Sequence, residues 1–200
     1  MALDAAGWCS AALRYPSPNF DARPDGCAIA LLVIHNISLP AGQFGGPYIA
    51  DLFANQLDLC AHPSFASLQG LRVSAHFLIR RDGGLLQFVP AEQRAWHAGL
   101  SNFEGRDRCN DFSIGIELEG CDSLPFEKPQ YQTLVDLTLC LQERYGMDAV
   151  CGHQDIAPGR KTDPGPHFDW AGFEAAFHCQ QRAGQTTGKT MPFLRFAQNA

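Results

Sequence analysis

The segment GHQDIAPGRKTDPGPHFDW, residues 152–170, sets His153, Asp155, Lys161, Asp163, His167 and Asp169 among repeated prolines and glycines. So much Pro and Gly is incompatible with the interior of a helix or a central strand. Two readings follow: a solvated loop that uses Asp and Pro to turn the chain, or a stiff loop that presents metal ligands and a cation to a substrate. Two residues elsewhere could join the second. His35 closes the apolar run AIALLVIH (28–35), so its ring emerges where a buried strand ends, and Glu117 lies beside Gly115 in DFSIGIELEG (111–120). Two histidines and one carboxylate, with a fourth position left for water, form the pattern of a catalytic zinc site; a structural zinc fills all four positions, usually with several Cys. The long spacing from His35 to His153 does not by itself bring these residues together. Each also has a plain reading, as a structural histidine or a solvent-facing carboxylate.

The elements that must position these groups can be read from periodicity. Residues 28–35 are apolar on both faces and rich in β-branched types, as in a central buried strand. SAHFLIRRDGGLLQFVP (74–90) reads as two strands joined by a turn at Arg81–Gly84. In 111–120 the residues alternate, with Phe112, Ile114, Ile116 and Leu118 on one face and Ser113, Gly115, Glu117 and Glu119 on the other. Helices are predicted from Pro47 in PYIADLFANQLDL and over 129–146, which opens with Pro and closes with Gly. Another is predicted after Asp169, an N-cap for WAGFEAAFHCQ. Strands and helices interleave, so the fold class is α/β (α+β): a single domain with a central mixed sheet flanked by helices. The tail from 181 is polar and aperiodic apart from PFLRF and is expected to be loosely ordered. The Gly- and Pro-rich connection over 36–70 flanks His35 and is a candidate for a segment that moves to admit substrate.

The totals narrow the function. Two hundred residues suit one domain. A net charge of −6 argues against general binding to nucleic acid or anionic membranes, which needs a basic face. No apolar run approaches the ~20 residues of a membrane span. The N-terminus has no basic start and is a poor signal peptide. The eight cysteines form no Cys-x-x-Cys pair; with no export signal they read as reduced thiols of a cytoplasmic protein. His76, between Ala75 and Phe77, reads as a satisfied core histidine, while His62, His167 and His178 fall outside the ligand pattern.

The blocks VIHNISLP, FGGPYIADLF, LRVSAHFLIRRDG, RAWHAG, GRDRCNDFSIGIELEG and the 152–170 loop, in this order over 14–178, resemble the zinc amidase family that includes phage lysozyme-type amidases and peptidoglycan recognition proteins. Within it they are most similar to the cytosolic branch that acts on anhydromuramyl peptides. The resemblance implies a peptidoglycan-recognition-protein-like fold, with an amidase domain over 14–180 and the tail outside it. It further implies a Zn2+ ion held by His35, His153 and Asp163, with Glu117 as general base and Lys161 as a cation beside the oxyanion. Relatives outside this branch often carry Cys where Asp163 stands, and recognition proteins lacking that ligand only bind. The implied reaction is hydrolysis of the amide between the lactyl group of (anhydro)muramic acid and L-alanine, in recycling of cell-wall fragments. Asn36, Arg72 and Arg108 match positions expected to hold the anionic stem peptide, unless the arginines make structural ion pairs. Trp96 and His97 match positions at the sugar end, and for His97 a structural hydrogen bond is the equal alternative. The implied partner is a small muropeptide, without nucleic acid or membrane, and the protein is expected to be a monomer. Three other functions stay in view: an amidase acting on intact peptidoglycan, a binding module without catalysis, and a thiol hydrolase using Cys151 beside His153.

Overall fold

The computed structural model describes residues 1–185 and 193–197. Its first half contains strands β1 (Leu13–Arg14), β2 (Phe20–Asp21) and β3 (Leu31–Ile37), helix α1 (Tyr48–Phe53), then β4 (Phe77–Ile79), β5 (Leu85–Gln87) and β6 (Arg94–Ala95). The second half adds β7 (Asn102–Phe103), β8 (Arg106–Asp107), β9 (Ser113–Glu119), α2 (Lys128–Tyr145), β10 (Ala149–Gly152), the single turn α3 (His153–Ile156), α4 (Trp170–Gln185) and β11 (Arg195–Phe196). Seven strands form one mixed sheet in the order β1-β5-β4-β9-β3-β10-β11. All its neighbours run parallel except β4 and β5, the hairpin expected over 74–90.

Parallel strands covered on both faces read as continuous apolar runs, and Leu31 to Ile34 of β3 are fully buried. On one face, Leu32, Ile34, Ile114, Ile116 and Leu118 pack with Leu134, Leu137, Leu141, Phe173 and Phe177 from α2 and α4. The opposite face carries Leu31, Val33, Ala149 and Cys151, covered by Ala98, Cys109, Phe112 and Ile156. Parallel register places Val33 beside Gly115 and His35 beside Glu117, so the polar face of β9 lies on this second side. It is buried along its whole length. The solvent-facing reading of Glu117 therefore fails, because loops, not water, cover that face.

Helix ends follow the chain chemistry. Gly146 closes α2 at φ 62°, a conformation that glycine adopts without a Cβ penalty. Asp169 Oδ1 accepts the N–H of Gly172 at 2.9 Å and caps α4. Helix α1 stops six residues in, earlier than its apolar pattern suggests, and Asn55 just beyond it takes φ 59°. The connection after β3 is anchored: buried Glu119 accepts the Gly45 N–H at 2.7 Å, and Arg80 bridges Glu119 to the Gly46 carbonyl. All eight cysteines are unpaired. No helix among the described residues is long and apolar enough to cross a membrane.

The tail departs from expectation at the one apolar patch it contains. β11 adds to the sheet edge beside β10, Leu194 is buried, and Phe196 packs its ring 5.2 Å from Phe173 and 5.7 Å from Phe177. Residues 186–192 and 198–200 of that tail lie outside the described residues. Phe196 is half-buried, so Phe196→Ala is expected to destabilise by about 2 kcal/mol, roughly half the ~3–5 of a fully buried Phe. The thermal midpoint should fall by about 4–8 °C. An unchanged midpoint in a scanning melt would show that the strand contributes no packing.

Candidate metal centre

His35 sits on β3, and His153 directly follows β10, so two neighbouring parallel strands deliver the imidazoles to the same end of the sheet. Asp163 comes from the loop after α3. His35 Nδ1, His153 Nδ1 and Asp163 Oδ2 stand 3.0 Å from one another in all three pairs. That triangle is close to the ~3.3 Å edge of a tetrahedron with the 2.0–2.1 Å bonds of zinc. Both imidazoles are buried, and this is a His-His-Asp group able to hold a metal ion.

The donor chemistry fits a cation. His153 Nε2 lies 3.1 Å from the Ala98 carbonyl, which can only accept, so the proton is on Nε2 and Nδ1 is bare. A bare nitrogen pointing at a carboxylate oxygen at 3.0 Å is a repulsive contact unless a positive charge joins them. Burial pushes the His35 imidazole down to about 4, against the opposing pull of Asp163, so this ring is neutral near pH 7 and able to donate a lone pair.

Glu117 stands beside His35 in the sheet and is 9% exposed, with Oε2 buried and without a hydrogen-bond partner. Burial raises its carboxyl well above the usual range. The negative charge of Asp163 adds to this, and the charge of Lys161 opposes it. Lys161 itself is exposed at the loop surface, with its backbone N–H donated to Ala157. The Pro/Gly loop is braced from below. Asn36 donates its amide nitrogen to Asp122 Oδ1 (2.7 Å) and to the Pro164 carbonyl (3.0 Å), and Thr162 donates to Asp122 Oδ2. Gly165, at φ 86°, leaves no room for a side chain, since a Cβ would lie 2.6 Å from Asp122 Oδ1.

The remaining expected residues are distributed unevenly. Asn36 has both amide hydrogens engaged in that brace, which leaves only its carbonyl oxygen for any ligand. Arg108 is exposed at the edge of an open cleft of about 590 Å³ beside the His153 loop, formed with Leu100, Ser101, Pro158 and Arg160. It also pairs with Asp111 at 3.2 Å. Arg72 lines a different hollow, with Leu57, Leu68 and Leu71. The Trp96 backbone is tied to Ser74. Both ring nitrogens of His97 face protein groups: Nδ1 is 2.9 Å from His35 Nε2, and Nε2 is 3.1 Å from Ser113 Oγ. His76 accepts the Gly115 N–H on Nδ1 and faces the Gln93 carbonyl with Nε2. Cys151 is buried within β10 and its thiol is pushed well above its ordinary value, first by burial, so the thiol-hydrolase reading lacks a thiolate.

Two contributors carry no sequence signal. Asp122 follows β9 in an unremarkable turn, and Arg160 donates to the carbonyls of Ala98 and Leu100. Arg160 thereby joins the two loops that flank His153. Only tertiary structure reveals such partners, because each reaches backbone or side chains 40 to 86 residues away.

The sequence pattern of the N-acetylmuramoyl-L-alanine amidase family matches residues 25–166, and the chain belongs to that family. It is 58% identical over 177 residues to the 1,6-anhydro-N-acetylmuramyl-L-alanine amidase AmpD of Citrobacter freundii, covering 88% of this chain and 94% of that one. It is 59% identical over 169 residues to AmpD of Escherichia coli (strain K12), covering 84% and 92%. The crystal structure of an AmpD selenomethionine derivative superposes with a TM-score of 0.84 at 57% identity, covering 88% of this chain and 98% of that one. A complex of the E. coli amidase AmiD with anhydro-N-acetylmuramic acid-L-Ala-D-γ-Glu-L-Lys aligns at a TM-score of 0.55 and 31% identity, over 84% and 67%.

Proposed function

We propose that this amidase is zinc-dependent and hydrolyses the amide bond between the lactyl group of 1,6-anhydro-N-acetylmuramic acid and the L-alanine of the stem peptide. The observation that carries the reading is the 3.0 Å triangle of His35, His153 and Asp163 beside a buried carboxylate with an unpartnered oxygen. When bound there, zinc supplies Lewis acidity that polarises a carbonyl and acidifies water. Glu117, in its charged form, takes the proton of the attacking water as the oxygen adds to the carbonyl carbon. It returns that proton to the alanine nitrogen as the C–N bond breaks, yielding a carboxylic acid and an amine, which at neutral pH become carboxylate and ammonium. Lys161 brings a positive charge towards the oxyanion; losing one such stabilising donor typically costs ~2.7–4 kcal/mol of barrier. In this reading the exposed Arg108, at the rim of the cleft beside the His153 loop, meets a stem-peptide carboxylate, and Trp96 serves the sugar end; Arg72, exposed in a separate hollow, reaches a carboxylate only at the far end of the peptide. Residues 14–180 form the catalytic unit in this reading. It works as a cytoplasmic monomer in muropeptide recycling, and the net charge of −6 supports a small substrate rather than a nucleic acid.

The test is mass spectrometry of products from anhydromuramyl-tripeptide and from intact peptidoglycan, with protein stripped by chelator and then given back zinc. Free tripeptide released only with zinc, and only from the soluble fragment, is the expected result. Cleavage of intact peptidoglycan at a comparable rate would assign the general amidase reading. No cleavage in either sample, with the fragment still bound, would assign a binding module.

A further inference from the structure

His153 has its tautomer set by a backbone carbonyl, but His35 has none: its outer nitrogen meets a second imidazole, which could either donate or accept. The direction is decided three contacts away. The Cys109 carbonyl can only accept, and Ser113 Oγ lies 2.6 Å from it, so the Ser113 hydroxyl proton points there. Ser113 Oγ must then accept from His97 Nε2 at 3.1 Å. A neutral His97 protonated on Nε2 has a bare Nδ1, which accepts from His35 Nε2 at 2.9 Å. His35 is left with a bare Nδ1 facing His153 and Asp163. Reversing the chain would put a proton on His35 Nδ1, in the space where a cation must sit.

The ring of His97 is held for this task. A Cβ on Gly115 would lie 2.4 Å from His97 Cγ and 2.5 Å from its Nδ1, so the missing side chain on β9 is the space the imidazole occupies. Asn110 Oδ1 accepts both the His97 and the Ala98 backbone N–H, fixing the loop above it. The geometry points to His97 as a positioning residue: with Ser113 and the Cys109 carbonyl it locks His35 in the tautomer that binds the metal.

This inference rests on the zinc reading above, and its test separates the two. His97→Phe keeps an aromatic ring and removes the acceptor, His97→Gln can accept from His35 and donate to Ser113, and Ser113→Ala removes the group that orients His97. Two quantities are read: the zinc Kd by chelator competition, and the protonated nitrogen of His35 in metal-free protein by long-range 1H–15N correlation. His97→Phe should raise the Kd by about 10- to 100-fold, the usual effect of removing a partner behind a ligand, with His35 becoming a mixture of tautomers. His97→Gln should recover most of the affinity and the single Nε2–H form. Ser113→Ala should show a smaller loss with the same tautomer mixing. Unchanged zinc affinity in His97→Phe, or equal losses in the Phe and Gln variants with His35 still purely Nε2–H, would overturn the inference. Should His97→Phe fail to fold, Ser113→Ala decides it by the same criteria. If the wild type takes up no zinc, the metal reading falls, while the nitrogen spectrum still decides the role of His97.

Discussion

Glu117→Gln is expected to abolish turnover, by 100-fold or more, to keep the bound zinc, and to make the metal-free protein more stable at neutral pH. The first effect follows from losing the proton carrier. The third follows from where the carboxyl sits. Burial and the charge of Asp163 raise its pKa well above 4.5, while Lys161 only partly opposes them. The folded protein therefore holds this proton to higher pH than the unfolded chain does. Between the unfolded value near 4.5 and the higher folded value, unfolding releases a proton, so this group lowers stability as pH rises through that window. Each unit of difference is worth about 1.4 kcal/mol at pH above both values. Glutamine fills the same volume and cannot ionise. Thermal melts of chelator-treated wild type and Glu117→Gln between pH 4 and 8 should coincide at the acid end and separate as pH rises, with the variant higher. Parallel curves would mean that Glu117 is not destabilised in the fold. Loss of zinc from the variant would mean that it acts as a ligand.

Asp163→Ala, and separately His153→Ala, should release the metal. Four-ligand zinc sites bind with about 10–16 kcal/mol. One ligand's share, ~3–4 kcal/mol, is two to three decades in Kd. Asp163 also contributes the only negative charge among the three ligands, so its removal leaves two neutral imidazoles facing a dication. Zinc content after dialysis, with Kd from chelator competition, reads this directly. Full retention of zinc in either variant would refute the ligand set, whatever happened to activity.

The sequence disclosed much of this site and concealed its supports. β3 and β9 are seven residues long and their patterns are unmistakable, as is α2 with its proline start and glycine end. β10, which delivers His153, is four buried residues without alternation, too short to carry a period. Strands of two residues, such as β1 and β11, exist only because a neighbour offers hydrogen bonds, so no local signal could show them. The alternation in β9 was legible, but its meaning was not: a polar face usually signals water, and here it lies under His97 and the metal loop. Gly115 was readable as cleared space. What fills that space is an imidazole from a loop 18 residues upstream, and only the fold could say so.

The central strand pairings have a kinetic consequence. His35 is separated from His153 by 118 residues and from Asp163 by 128, and β3 is held between β10 and β9 by parallel, non-local ladders. Loop closure on that scale must precede any reward from contact, so the ligand triangle exists only once the sheet is nearly complete. Under the zinc reading, the metal would therefore not nucleate folding here as it does in a zinc finger. It would act afterwards as a latch, adding roughly 4 kcal/mol at a thousandfold excess over Kd and slowing unfolding while leaving the folding rate as the bare chain sets it.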